Sequence, residues 1–129
     1  MQGFEPVTLT WQGTEYTVPA ERQMLLIAKI EDALIGDSGK QAISVLFAKE
    51  GPPHSRLAMA FGAALRHAGA AVSDDAVYLS IQDDIANKSK AQKAVAIQSA
   101  IIALLSIISP PAARALTGRD AADKPEKKA

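Results

Sequence analysis

Cysteine is absent from all 129 residues, which excludes disulfide scaffolds, thiol nucleophiles and cysteine-built zinc sites. The two histidines, His54 and His67, are 13 positions apart, which is not a helical ligand spacing, and neither has an acid nearby in sequence to complete a triad. Net charge is missing too. The 14 basic side chains are matched by 14 acidic ones, so the long-range attraction of a general nucleic-acid binder is absent. Aromatic residues make up only 5% of the chain and do not interleave with basic ones as in single-strand binders. No phosphate-cradling glycine loop, dinucleotide fingerprint, zincin helix or nucleophile elbow occurs. No enzyme, metal site or cofactor is expected.

What is present is 48% apolar and 22% charged sequence, the composition of a soluble globular protein long enough for one core. The start, Met1 to Pro6, carries Glu5 where a secretory signal would be basic, so export is not expected. Between Lys93 and Arg114 lie 20 uncharged residues. Gln98, Ser99, Ser106 and Ser109 dilute this stretch and Pro110-Pro111 would break a helix in a bilayer, so a buried helix is expected rather than a membrane span.

Residues 7–18 alternate apolar and polar with a turn at Gln12-Gly13, the pattern of a β-hairpin. A two-residue loop pairs Val7 with Val18, Leu9 with Tyr16 and Trp11 with Thr14, placing the large apolar side chains on one face. Trp11 and Tyr16 are expected in the core rather than stacked on bases. Pro19 opens a helix with the apolar line Met24, Ile27, Ile30 and Leu34, ending near Gly36. A short second helix, about Lys40 to Lys49, is expected to bury Ile43, Leu46 and Phe47 before Gly51-Pro52-Pro53 stops it. In the third, Leu57, Ala60, Phe61, Ala64, Leu65 and Ala68 recur at helical steps, and Gly69 stands at the left-handed cap. His54 is expected in an exposed loop and His67 at the end of this helix. Ser73 caps a fourth helix with Asp74 and Asp75 in its first turn and Val77, Ile81 and Ile85 facing inward.

The last helix, about Ser89 to Ile108, is the most apolar. Ile97, Ile101, Leu104, Leu105 and Ile108 form the face assigned to the core, while Val95 and Ile102, seven apart, share another face with Ser99 and Ser106. That narrow second stripe is the candidate partner-binding site. Two explanations stand for it: contact with another helix of the same fold, or contact with a partner. Burying each large aliphatic contributes about 1.5–3 kcal/mol at most, so some neighbour is expected to cover them.

The resulting fold class is α+β, mostly α: an N-terminal β-hairpin on a bundle of about five helices. The domain spans residues 1–111, and residues 112–129 form a flexible charged tail with five basic and three acidic side chains. The acid pairs Asp74-Asp75 and Asp83-Asp84 point apart on a helix and are read as solvated or dipole-paired rather than cation-binding. They also disfavour the helix-turn-helix that Ser55 to Ile85 would otherwise suggest, because they repel phosphate.

Several local strings, taken in order, resemble the tail assembly chaperones of long-tailed bacteriophages and prophages. They are Val7 to Pro19, the first helix with Ile30-Glu31-Asp32, the run Arg56-Leu57-Ala58 through Leu65-Arg66-His67-Ala68-Gly69, and Val72 to Tyr78. The resemblance covers about Val7 to Pro110 and rests on packing and capping patterns. It implies a non-enzymatic, self-associating protein of the host cytoplasm. Its partners would be the tape measure protein, which it coats, and the tail tube protein that later polymerises around that protein. It also implies a longer frameshifted product, and Lys127-Lys128 is where an A-rich slippery codon run would then have to lie. Two other classes remain: a small helical DNA-binding regulator of phage origin, and a peripheral membrane protein anchored by the last helix. Neither nucleic acid nor membrane is the expected partner.

Overall fold

The computed structural model describes residues 3–118. Strands β1 (Val7–Trp11) and β2 (Thr14–Val18) form the hairpin in the expected register, Val7 opposite Val18 and Trp11 opposite Thr14. Gln12 and Gly13 both have positive φ, 49° and 82°, as a two-residue hairpin turn with right-twisting strands requires. Leu9 and Val18 are buried, and Val7, Trp11 and Tyr16 pack against the same core. On the outer face the Thr8 and Thr17 hydroxyls lie 3.1 Å apart.

A 3-10 turn, Ala20–Arg22, leads into α1 (Gln23–Ile35), followed by α2 (Ala42–Leu46), α3 (His54–His67), α4 (Asp74–Asn87), α5 (Lys90–Ile108) and α6 (Pro110–Ala113), with a π-helical turn at Arg114–Gly118. The class is thus α+β, mostly α. α1 and α3 make the central helix pair, and α5 closes the core against both and against β1. Leu26, Ile30, Leu34, Leu57, Leu65, Leu104, Leu105 and Ile107 are all essentially without solvent contact.

Local chemistry explains the boundaries. Ser73 Oγ accepts from Ala76 N–H at the start of α4. Ser89 and Gln92 form a reciprocal capping box at the start of α5. At the end of α3, Ala70 N–H reaches Leu65 C=O and Gly69 N–H reaches Arg66 C=O, a Schellman closure made possible by Gly69 at φ 101°. Gly62 matters for space rather than for backbone angle, since a Cβ there would collide with the Asp74 carboxylate. Its bare backbone lets the start of α4 lie on α3.

Several inward assignments shift by one position. In α1 the core line is Gln23, Leu26, Ile27, Ile30, Ala33 and Leu34, and Met24 is 63% exposed. In α2 it is Ala42, Val45 and Leu46, while Ile43 and Phe47 face outward. The helix is also shorter than Lys40 to Lys49. Where neighbouring positions are both apolar, periodicity permits two faces, and contact with the rest of the core selects one. Ile107, absent from the expected core face of α5, is fully buried. Ile97, Ile101 and Ile108 pack against the core but are only half-buried.

The chain does not leave the domain at Pro111. Pro110 and Pro111 end α5 and open α6, because proline is tolerated in a first helical turn where its missing N–H has no partner to lose. Ala112 packs on the core and Ala113 is 5% exposed. The rest of the expected tail, residues 119–129 with Lys127-Lys128, lies outside the described residues.

Candidate partner-binding surface

The face of α5 singled out by sequence is built from the helical repeat itself. Ile97, Ala100, Leu104 and Ile107 fall on one side and meet the core. Val95 and Ile102 lie roughly 160–180° around the helix from Leu104. Val95 is 63% exposed, beside a shallow hollow formed with Lys88, Ala91, Gln92 and Ala96. Ile102 is half-buried and its carbonyl accepts a hydrogen bond from Ser106 Oγ at 2.9 Å. The two residues therefore share an outward face, with exposed Ser99 between them.

A second apolar surface, not singled out in the sequence, lies between α3 and α4. Met59, Tyr78 and Leu79 are exposed on either side of a groove of about 380 Å³, with buried Ala58 at its base and Ser55 at one end. Asp74 and Asp75 stand at the other end. Asp74 is held by Arg66, whose Nη1 lies 2.8 Å from its Oδ1 and also donates to Val72 C=O at 3.2 Å. A signal was present: Met59 and Leu79 are large apolar residues off the core lines Leu57-Ala60-Ala64 and Val77-Ile81, so neither has an inward place to go.

A third hollow, about 630 Å³, opens where α4 and α5 splay apart beneath the hairpin. Its walls are chiefly Trp11, Phe61, Ile81, Ile85 and Ile97, and its rim carries Asp83, Asp84, Lys88 and Lys93. Asp84 pairs with Lys88 at 3.3 Å, and Asp83 Oδ1 accepts from Asn87 Nδ2 at 2.7 Å.

The titratable groups do not converge. Among the described residues no group of three His, Asp or Glu side chains is placed to share a cation. His54 is not a loop residue: it begins α3, half-buried, with its Nδ1 3.3 Å from Gln82 Nε2 of α4. His67 ends α3, and its Nδ1 is buried without a hydrogen-bond partner. Burial, reinforced by the charges of Arg22, Lys29 and Arg66, holds its pKa below the ordinary 6.5.

The lowered pKa of His67 makes the stability of the fold depend on pH. The unfolded chain takes up the His67 proton near pH 6.5 and the folded chain resists it, so this contribution is present above that pH and is lost as pH falls through the folded value. The urea midpoint should drop between pH 7 and the low 5s, and His67→Gln should reduce that drop. An equal drop in the variant would remove His67 as its source.

By length and composition α5 is apolar enough to cross a membrane, and it is not the buried helix expected from the sequence: only Leu104, Leu105 and Ile107 are buried, because the core reaches one side of its C-terminal half and leaves the remaining positions half-buried or exposed. Comparison of the chain with protein-family models, with curated proteins and with solved structures finds no match.

Proposed function

We propose that this protein is a non-enzymatic phage tail assembly chaperone, which binds the apolar helices of a tape measure protein in the host cytoplasm and keeps them from aggregating until tail tube subunits enclose them. The observation that carries this reading is the retention of large apolar side chains at the surface of a domain that already has its own buried core. Met24, Leu25, Ile43, Phe47, Met59, Tyr78, Leu79 and Val95 are each between 37% and 64% exposed. Groups of such side chains on helix faces suit the capture of another apolar helix, since burial contributes about 25 cal/mol per Å² without requiring a reaction. The resemblance in the hairpin, α1, α3 and the start of α4 supplies the identity of the partner. Self-association through the Val95 and Ile102 face belongs to the same reading, because a free chaperone gains by covering that surface.

The test is co-expression with the tape measure protein of the same phage or prophage. The expected result is a tape measure protein that is soluble with this chain and aggregated without it. Equal solubility in both cases refutes the role. Vesicle pelleting of this chain alone would favour the membrane-anchored alternative instead. A salt-sensitive mobility shift with DNA would favour a regulator.

A further inference from the structure

The α3–α4 groove differs from the other exposed apolar positions in being both concave and electrically lopsided. Its sides are Met59 on α3 and Tyr78 and Leu79 on α4, its floor is Ala58, and the only charges lining it are the carboxylates of Asp74 and Asp75 at one end. Arg66 occupies Asp74, at 2.8 Å, so the outward charge at that end comes from exposed Asp75. The end at Ser55 carries no charge.

We propose that this groove docks an amphipathic helix of a partner protein, apolar on the face it buries and carrying lysine or arginine at the end that lies against Asp74 and Asp75. The inference rests on the shielding role for the kind of partner, a helix, and is independent of that partner's viral identity.

Three features select this occupant. Both walls are helices, so the groove offers no strand edge to an extended peptide. A helical ligand brings its own backbone bonds and needs only side-chain contacts. Met59 is unbranched and adaptable, suited to filling against partner side chains of varied shape, and Tyr78 adds a large flat surface. The acids then set direction. A basic end placed beside the exposed Asp75 carboxylate is attracted and an acidic end is repelled, in both cases by a charge that the N-terminal end of the α4 dipole reduces but does not cancel. Gly62 keeps the arrangement in register, because the close approach it permits holds Asp74 against α3.

The test uses the full chain and two labelled amphipathic peptides, with identical leucine-bearing faces and either lysines or glutamates at one end, in a fluorescence anisotropy titration. The lysine-ended peptide is expected to bind about two- to fivefold more tightly at low salt, as for an exposed ion pair. That advantage should vanish with Asp75→Asn and in high salt. The double variant Met59→Ser/Leu79→Ser, altered only at exposed positions and checked for fold by circular dichroism, should weaken both peptides by about tenfold or more. Equal binding of the two peptides, undiminished binding by the double variant, or no binding of either peptide overturns the proposal. Co-expression separates it from the wider function. If the double variant still solubilises the tape measure protein, the groove fails and the shielding role stands. If the groove binds the lysine-ended peptide as described but the intact chain does not solubilise the tape measure protein, the reverse holds.

Discussion

Replacing Ile102 with lysine should leave the domain folded and abolish both self-association and capture of the tape measure protein, whereas the same change two residues further on should prevent folding. Ile102 faces away from the core side of α5, so a lysine there extends into solvent and costs little beyond its own lost contacts. Leu104 is fully buried, and an ammonium in its place has no partner. An isolated buried charge costs several kcal/mol, a large part of the roughly 5–15 kcal/mol that typically separates a folded domain from its unfolded chain. Val95→Lys, at a position 63% exposed, should behave like Ile102→Lys. Size-exclusion chromatography and pull-down read the association, and circular dichroism reads the fold. If Ile102→Lys unfolds the chain, Ile102 belongs to the core and the stripe is not an interface. If it stays folded and still associates, the stripe is not where partners bind.

A second large effect is expected at Gln23, the one fully buried polar side chain among the described core residues. Its Nε2 donates to Glu5 C=O at 3.0 Å and to Val18 C=O at 3.3 Å, tying the entering chain and the end of β2 to the first turn of α1. Gln23→Glu preserves the shape but turns the donor into an acceptor facing two carbonyls. At neutral pH the buried carboxylate should cost roughly 3 kcal/mol or more, because neither desolvation nor repulsion is compensated. The sign with pH is distinctive. The new carboxyl has a raised folded-state pKa, so the variant recovers stability as pH falls and the acid protonates, and loses it as pH rises through that value. Urea midpoints for wild type and variant at pH 7 and near pH 4.5 test this. A gap that does not narrow at the lower pH would show that the carboxyl is not held in this buried setting.

The two variants mark the limits of what the chain discloses before it folds. The outward stripe of α5 was legible because Val95 and Ile102 are one heptad apart and out of phase with Ile97 and Leu104, a relation fixed by helix geometry alone. Gln23 was not legible. It stands beside Met24 and Leu25, and on hydrophobicity either neighbour has the stronger claim to an inward position. The structure turns both outward, because Leu26, Ile30 and Leu34 set the phase of the buried face and Gln23 shares it. The α3–α4 groove was hidden for a related reason: Met59 and Leu79 belong to different helices, and their proximity depends on how those helices pack.

Short-range chemistry was therefore written into the residue order. Alternation and Gln12-Gly13 set the hairpin and its register, Ser73, Gly69 and the proline pairs set helix ends, and the lack of cysteine and of clustered histidine removed whole classes of reaction. Each depends on neighbours within about one turn or one strand pair, where bond geometry leaves few choices. Tertiary packing decided which of two adjacent apolar side chains on α1 and α2 is buried, that Ala113 belongs to the core, and that three exposed residues of α3 and α4 border a single acid-ended groove. Such outcomes turn on contacts between segments far apart in sequence, and local periodicity carries no information about which surfaces those segments bring together.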